Sequence, residues 1–280
     1  MSGAPAAAVV SGASTGIGFA AAALLARRGY ITFAGVRNEA DARRLEAEHP
    51  NLRAVMLDVC DGASIAAAFG AVAASGIPLK AVVSNAGIAL GGPLEHVAID
   101  DLRRQLEVNV VGALALVQAA LPLLGPGGRI VFVGSISGRL AIPYIGPYSA
   151  SKFALRALAD ALRVELAPGR IAVSLIEPGS VATPIWSKGR AARERILAGL
   201  AATPRAYYRD VMSRVLAQTQ TEERSGMPAE RVARAIAHAV ASPRPRPNYV
   251  LGAPARAGSL LALLPAAWRD RAARAAMRLP

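Results

Sequence analysis

Lysine is nearly missing from this chain: of 32 basic side chains 29 are arginine, and only Lys80, Lys152 and Lys188 are lysine. Cysteine is rarer still. Cys60 stands alone, which excludes an internal disulfide and any thiolate-rich zinc site. It suits a reducing cytoplasm and is expected to be a small buried filler. The three histidines, His49, His96 and His238, lack ligand spacing, so no metal centre is expected. Charge is absent from residues 2–26, but "SGASTGIG" in their middle and the lack of a positive leader argue against a signal peptide or a span. No other run is expected to be long and apolar enough to cross a bilayer. The chain reads as cytoplasmic, with no transmembrane segment.

What is present is a 280-residue globular sequence, 53% hydrophobic and 18% charged, sized for one large domain over 1–280. Its net charge of +13 is uneven: 15 basic and 13 acidic residues run through 185, then 17 and 6 beyond. Such a block can mark a nucleic-acid partner, but zinc-finger spacing and aromatic-basic RNA motifs are both missing. Solvated helix faces account for it better, and no nucleic-acid partner is expected.

Short β-branched runs alternate with alanine-rich helical stretches, the pattern of an α/β fold with a doubly wound, mainly parallel sheet and helices on both faces. Seven strands are expected in "AAAVVS", "YITFAGV", "RAVMLD", "KAVVSN", "RIVFVGS", "IAVSLIEP" and "NYVLG", and helices over 16–28, 39–48, 63–74, 98–124 and 147–167. Residues 184–227 break the regularity. An excursion of that length is expected to be a binding loop or lid, with Trp186, Tyr207, Tyr208 and Met212 and a helical "AARERILAGL" in it. "PAERVARAIAHAV" then restarts a helix.

"VVSGASTGIG" places Gly12, Gly16 and Gly18 between the first strand and the first helix. Glycines there allow a tight turn and close approach of a pyrophosphate, and the helix N-terminus offers free N–H groups to it. The second strand ends "FAGVRN". Where a carboxylate would hold a ribose 2′-hydroxyl stands Val36, followed by Arg37, which can grip a 2′-phosphate. Ser14 can add a hydrogen bond. NADP(H) is therefore expected over NAD(H).

Tyr148 and Lys152 in "YSASK" are four residues apart at the start of a helix, so they share a face. A free tyrosine has a pKa of about 10, and an ammonium beside it is expected to lower that value. Lysine, whose flexible stem can also reach ribose hydroxyls, suits this better than arginine. A chain that uses arginine wherever charge suffices keeps lysine here.

These motifs resemble the short-chain dehydrogenase/reductase family, specifically through Thr183 and more loosely beyond. "SGASTGIG" is similar to its cofactor turn, covering Gly12, Ser14, Thr15, Gly16, Ile17 and Gly18, with Ser11 where threonine is commoner. The resemblance assigns Asp58 and Val59 of "LDV" to the adenine end, and Asn85, Ala86 and Gly87 of "SNAG" to the ribose. It assigns Ser135 of "VGSISG" to the substrate oxygen; Ser137 is a rival with the wrong spacing to Tyr148. Asn109 would hold a water joining Lys152 to solvent. Pro178 and Gly179 would shape the nicotinamide pocket, with Val181 and Thr183 at the carboxamide. Tyr148 would be the proton donor or acceptor, and Tyr148 and Lys152 would both touch cofactor.

The branch most resembled is that of the NADP-dependent hydroxysteroid and retinol dehydrogenases. It implies hydride exchange between nicotinamide and a lipophilic ketone or secondary alcohol, in a homodimer or homotetramer, with Trp186 beside the substrate. A ketoacyl-type reductase of the same family is the nearest alternative, although nearly a hundred residues follow the Pro-Gly turn here. A sugar-nucleotide epimerase usually has a different glycine turn, and a non-catalytic NADP-binding relative often lacks the tyrosine or lysine. In the tail, 259–280, Trp268, Ala272, Ala275 and Leu279 form a helical stripe flanked by Arg269, Arg271, Arg274 and Arg278. Packing of that stripe on the protein's own cleft or on a neighbouring subunit is favoured over a peripheral contact with anionic membrane, because alanines make it thin.

Overall fold

Runs of valine, isoleucine and alanine too short for helices become strands, buried on both faces at the centre of a parallel sheet and partly exposed at its edges, β3 and β7. They are β1 (Ala7–Val10), β2 (Ile31–Val36), β3 (Leu52–Met56), β4 (Leu79–Ser84), β5 (Leu124–Val133), β6 (Ala172–Pro178) and β7 (Asn248–Leu251). All neighbours pair in parallel, in the order β3-β2-β1-β4-β5-β6-β7. The computed structural model describes residues 5–187, 195–198 and 207–278.

The helices are α1 (Gly16–Arg27), α2 (Glu39–Glu48), α3 (Gly62–Ala74), α4 (Ile99–Leu106), α5 (Gly112–Ala120), α6 (Gly146–Glu165), α7 (Tyr207–Ser225), α8 (Ala229–Ala241), α9 (Ala253–Leu261) and α10 (Ala266–Met277). Small side chains such as Ala21, Ala22, Ala233 and Ala237 bring α1 and α8 onto one face of the sheet. Phe69 of α3, Leu116 of α5 and Leu155 of α6 pack with Phe132 of β5 on the other.

Three expectations are corrected. The helix expected over 98–124 is interrupted by a π-turn at Glu107–Val111 and ends in a 3₁₀ turn at Leu121–Leu123, after which β5 starts five residues earlier than read from the sequence. A run of membrane-spanning length does exist: Ile99–Leu123 is long and apolar enough to cross a bilayer by length and composition. In the fold its Gly112, Ala113, Leu116, Val117 and Ala120 are buried, so that apolarity covers the sheet. Cys60 is exposed rather than a buried filler, because it sits in the turn before α3. Partial desolvation and then the carboxylates of Asp58 and Glu107 push its thiol pKa up.

Candidate active site

Strand order reverses between β1 and β4, whose following helices lie on opposite faces, so a crevice opens beyond their C-terminal ends. The glycine turn lines it. Gly12 and Gly16 have φ of +63° and +58°, and a Cβ on Gly12 would lie 2.8 Å from the Ala86 Cα. One on Gly18 would fall 2.2 Å from the Gly12 oxygen, and one on Gly16 2.8 Å from Cγ2 of Thr183. Asn85 Nδ2 donates to the carbonyls of Ser11 and Gly12 at 3.0 and 3.1 Å, while Ser11 Oγ accepts from the Asn85 and Ala86 N–H groups, each at 3.0 Å. The serine standing where threonine is commoner thus ties β1 to β4. No acidic residue occupies the first turn of α1, capped at Thr15, so its N–H groups are free to meet an anion. These glycines and this helix start supply what a dinucleotide pyrophosphate needs, with Thr183 closing over Gly16.

At the adenine end, Asp58 is half-buried and its Oδ1 accepts the Cys60 N–H at 2.9 Å, just before buried Val59. Arg37 is exposed immediately past β2. A second arginine went unnoticed in the sequence: Arg44 of α2 donates to the Ser14 carbonyl and, at 2.8 Å, to Asp41, and stacks 5.8 Å from the Phe19 ring centroid. Nothing local separates it from the other arginines.

Tyr148 and Lys152 lie in the first two turns of α6, 8% and 5% exposed. The Ser135 side chain faces the Tyr148 hydroxyl and favours its ionised form. Ser135, just past β5, also accepts the Ser137 N–H at 3.1 Å, so the rival serine serves the turn with its backbone. Lys152 Nζ donates to the Val133 carbonyl at 2.9 Å and stands 5.6 Å from the Tyr148 ring centroid. The expected lowering of the tyrosine pKa is corrected here. Burial pushes Tyr148 up to about 12, with the Ser135 side chain pulling the other way, and burial pushes Lys152 down to about 8. Desolvation of both groups outweighs their mutual attraction, since the ammonium is aimed at a carbonyl rather than at the phenol.

Asn109 sits in the π-turn, buried. Its Oδ1 accepts the Ile88 N–H at 2.9 Å, and its Nδ2 donates to the Ile88 carbonyl and to Ser151 Oγ, both at 3.0 Å. Ser151 donates on to the Tyr148 carbonyl at 2.7 Å. Gln105, fully buried and missed in the sequence, donates to the Ile88 carbonyl at 2.6 Å and accepts the Leu90 N–H at 2.7 Å. Both amides satisfy backbone that has left β4 and lost its ladder partners. Glu177 was missed as well. Fully buried at the end of β6, it holds Arg139 at 2.6 Å and Arg156 of α6 at 2.7 Å.

Beyond β6, Gly179 donates its N–H to the Leu251 carbonyl at 3.0 Å, Val181 bridges to Met227, and Thr183 lies over Gly16. Of Pro178, Gly179, Val181 and Thr183, Thr183 is thereby brought to the glycine turn. Trp186 packs on Tyr148 with ring centroids 5.4 Å apart, among Ala89, Ile142, Ile145 and Ile185. Met212 is buried against Ile196, with Tyr144 and Tyr208 packed alongside, so it holds α7 down. Tyr208 donates to Glu95 at 2.9 Å, and Tyr207 is exposed. Much of the expected helix "AARERILAGL" lies outside the described residues; 195–198 are helical. His238 pairs with the Tyr249 hydroxyl at 2.8 Å and His96 meets the Tyr208 ring edge-on. Among the described residues no three His, Cys, Asp or Glu side chains could hold a metal ion.

The chain is similar to known proteins. An NADPH-dependent 3-dehydrocapnine reductase from Ornithobacterium rhinotracheale is 34% identical over 253 residues, 87% of each chain. A short chain dehydrogenase/reductase from Burkholderia phymatum, solved with NAD, superposes with a TM-score of 0.77 at 27% identity, covering 99% of this chain and 96% of that one. A short chain dehydrogenase from Burkholderia cenocepacia, solved with NADP, gives 0.72 at 25% identity over 99% of both. A family model described as short chain dehydrogenase matches residues 6–194, and the chain belongs to that family.

Proposed function

We propose that the protein is an NADP(H)-dependent oxidoreductase that interconverts a lipophilic ketone and its secondary alcohol. The observation that carries this is the buried Tyr148 facing the Ser135 side chain, with Lys152 one helical turn away, at the strand ends beside the glycine turn. When bound, the cofactor supplies hydride to the substrate carbon or takes it away. Ser135 fixes the substrate oxygen against the Tyr148 hydroxyl, which gives that oxygen a proton in reduction and removes it in oxidation. Lys152, which donates to the Val133 carbonyl in this structure, would turn to the ribose hydroxyls of a bound cofactor and bring positive charge near the phenol. Asn109 clamps the Ile88 backbone and, through Ser151, the first turn of α6, so that Tyr148 stays in place; a water on it would link Lys152 to solvent.

Gly12, Thr15, Gly16, Ile17 and Gly18 cradle the pyrophosphate; Asp58 and Val59 meet the adenine; Asn85, Ala86 and Gly87 flank the ribose. Preference for NADP(H) rests on Arg37, exposed next to Val36, which stands where an NAD enzyme would carry an acid, and a relative named as NADPH-dependent supports it. A lipophilic substrate is supported by the apolar wall of Trp186, Ile142, Ile145 and Ile185 around Tyr148. The test is a screen of ketones of graded bulk, following absorbance with NADPH and with NADH. Oxidation of NADPH by bulky ketones, faster than of NADH, is expected; turnover of small polar carbonyls alone, or with NADH alone, would refute this reading.

A further inference from the structure

Helices α9 and α10 meet at a corner whose two sides differ sharply. Inward, α9 seats on the active-site rim. Ala255 is fully buried, and a Cβ on Gly179 would lie 3.5 Å from its own. One on Gly258 would approach Cγ1 of Ile136, the neighbour of Ser135, to 3.0 Å. On the far side, Arg214 of α7 donates to the Met277 carbonyl at 3.2 Å and pins the end of α10.

Outward, Leu260, Leu263, Leu264 and Trp268 are 69%, 81%, 44% and 60% exposed. They form one turn in space. The Leu263 and Leu264 N–H groups bond back to the Leu260 and Leu261 carbonyls, Pro265 caps α10, and the Trp268 N–H bonds to the Pro265 carbonyl. No residue from 260 to 268 is charged, yet the flanking positions from 256 to 278 carry Arg256, Arg269, Arg271, Arg274 and Arg278 against a single acid, Asp270; Arg269 is half-buried and the other four arginines are exposed. The Arg271 guanidinium stacks 5.9 Å from the Trp268 ring centroid. Of the two packings expected for the tail stripe, on the protein's own cleft or on a neighbouring subunit, the first is not found: Trp268 and Ala275 are exposed, Ala272 is half-buried, and Leu279 lies outside the described residues. The apolar unit is the corner, not the stripe.

We propose that this corner docks the protein onto an anionic lipid bilayer. Three large apolar side chains and a tryptophan held clear of their own core carry a solvation cost that insertion at a headgroup boundary relieves. The flanking arginines add attraction to anionic headgroups, and the two signals together bind where either alone is marginal. A second copy is the weaker occupant, because a two-fold contact would press two sets of arginines together. The rim contacts place the corner beside the site mouth, so the bilayer would lie next to the route for a lipophilic substrate. Docking itself does not rest on the proposed reaction, since vesicle binding is read without turnover.

The experiment is sedimentation of the full-length protein with vesicles of phosphatidylcholine alone or with about one-third phosphatidylglycerol, at low and high salt. Binding to the anionic vesicles should exceed that to neutral ones at least about tenfold and weaken with salt. Replacing both Leu263 and Trp268 by serine should lower it by about tenfold or more. Each of Arg271→Gln and Arg274→Gln should lower it by about fivefold. Thermal melts verify that the variants fold. Absence of binding to anionic vesicles at low salt would overturn the proposal. So would serine variants that bind like the parent, or a change in their molar mass by light scattering without lipid, which would assign the corner to a second copy.

Discussion

Trp186 leans on Tyr148, with 60° between the ring planes and 5.4 Å between centroids. The indole therefore covers the one phenol that the proposed chemistry needs, on the side where a substrate would approach. Truncating it removes an apolar wall and leaves the glycine turn untouched. Trp186→Ala should raise KM for a bulky ketone by about tenfold to a hundredfold, the value of one large buried side chain. Kd for NADPH, measured by fluorescence titration, should change far less. Equal effects on both would reduce Trp186 to packing.

Arg37 is exposed immediately past β2, where a 2′-phosphate could reach it. Charge-assisted bonds are worth roughly 1.5–3 kcal/mol, so Arg37→Ser should raise Kd for NADPH by about tenfold to a hundredfold. NADH binding should shift by less than about twofold. If both cofactors lose affinity equally, Arg37 is not the discriminating group.

Burial lowers the Lys152 pKa from 10.5 to about 8. Between those values the unfolded chain holds the proton and the folded chain does not, so stability contributed by this site rises with pH across that window. Below about 8 the cost of the buried charge is felt in full. Lys152→Met abolishes the titration. Its melting temperature relative to the parent should therefore be highest near neutral pH and should fall as pH rises through about 8 to 10. A pH-independent difference would contradict the depressed pKa.

Glu177 is fully buried and serves two guanidiniums, Arg139 and Arg156, whose side chains are 23% and 26% exposed. Glu177→Gln keeps the shape but leaves both cations without their counter-charge. Fully buried pairs broken this way cost about 3–5 kcal/mol; these arginines reach water, so a loss of about 2–3 kcal/mol in urea unfolding is expected. A change below about 0.5 kcal/mol would show that water already neutralises the cluster.

Strand and helix order was legible because alternating periodicity is a local property, as was the glycine turn, whose three glycines each face a backbone or side-chain approach that excludes a Cβ. The spacing from Ser135 to Tyr148 carries the same kind of information, since the end of β5 and the start of α6 fix both. What escaped depends on contacts distant in sequence. Glu177 lies 38 residues from Arg139, and Gln105 is 17 from Ile88, with nothing local to mark either. The pKa direction at Tyr148 was misread because depth of burial, unlike helical spacing, is not written in "YSASK". Cys60 was misjudged for the same reason: residue types describe preference, and the fold decides which of them reach solvent.

The measurement that bears most directly on the proposed activity is turnover of Tyr148→Phe. The substitution removes one hydroxyl and almost no volume from a side chain that is 8% exposed, so the fold should survive and Kd for NADPH should stay within about twofold. With an active ketone found, kcat should fall by about two to four decades, the range for loss of a positioned acid and base. A variant that keeps near-parental kcat would contradict the assignment of Tyr148 as the proton donor.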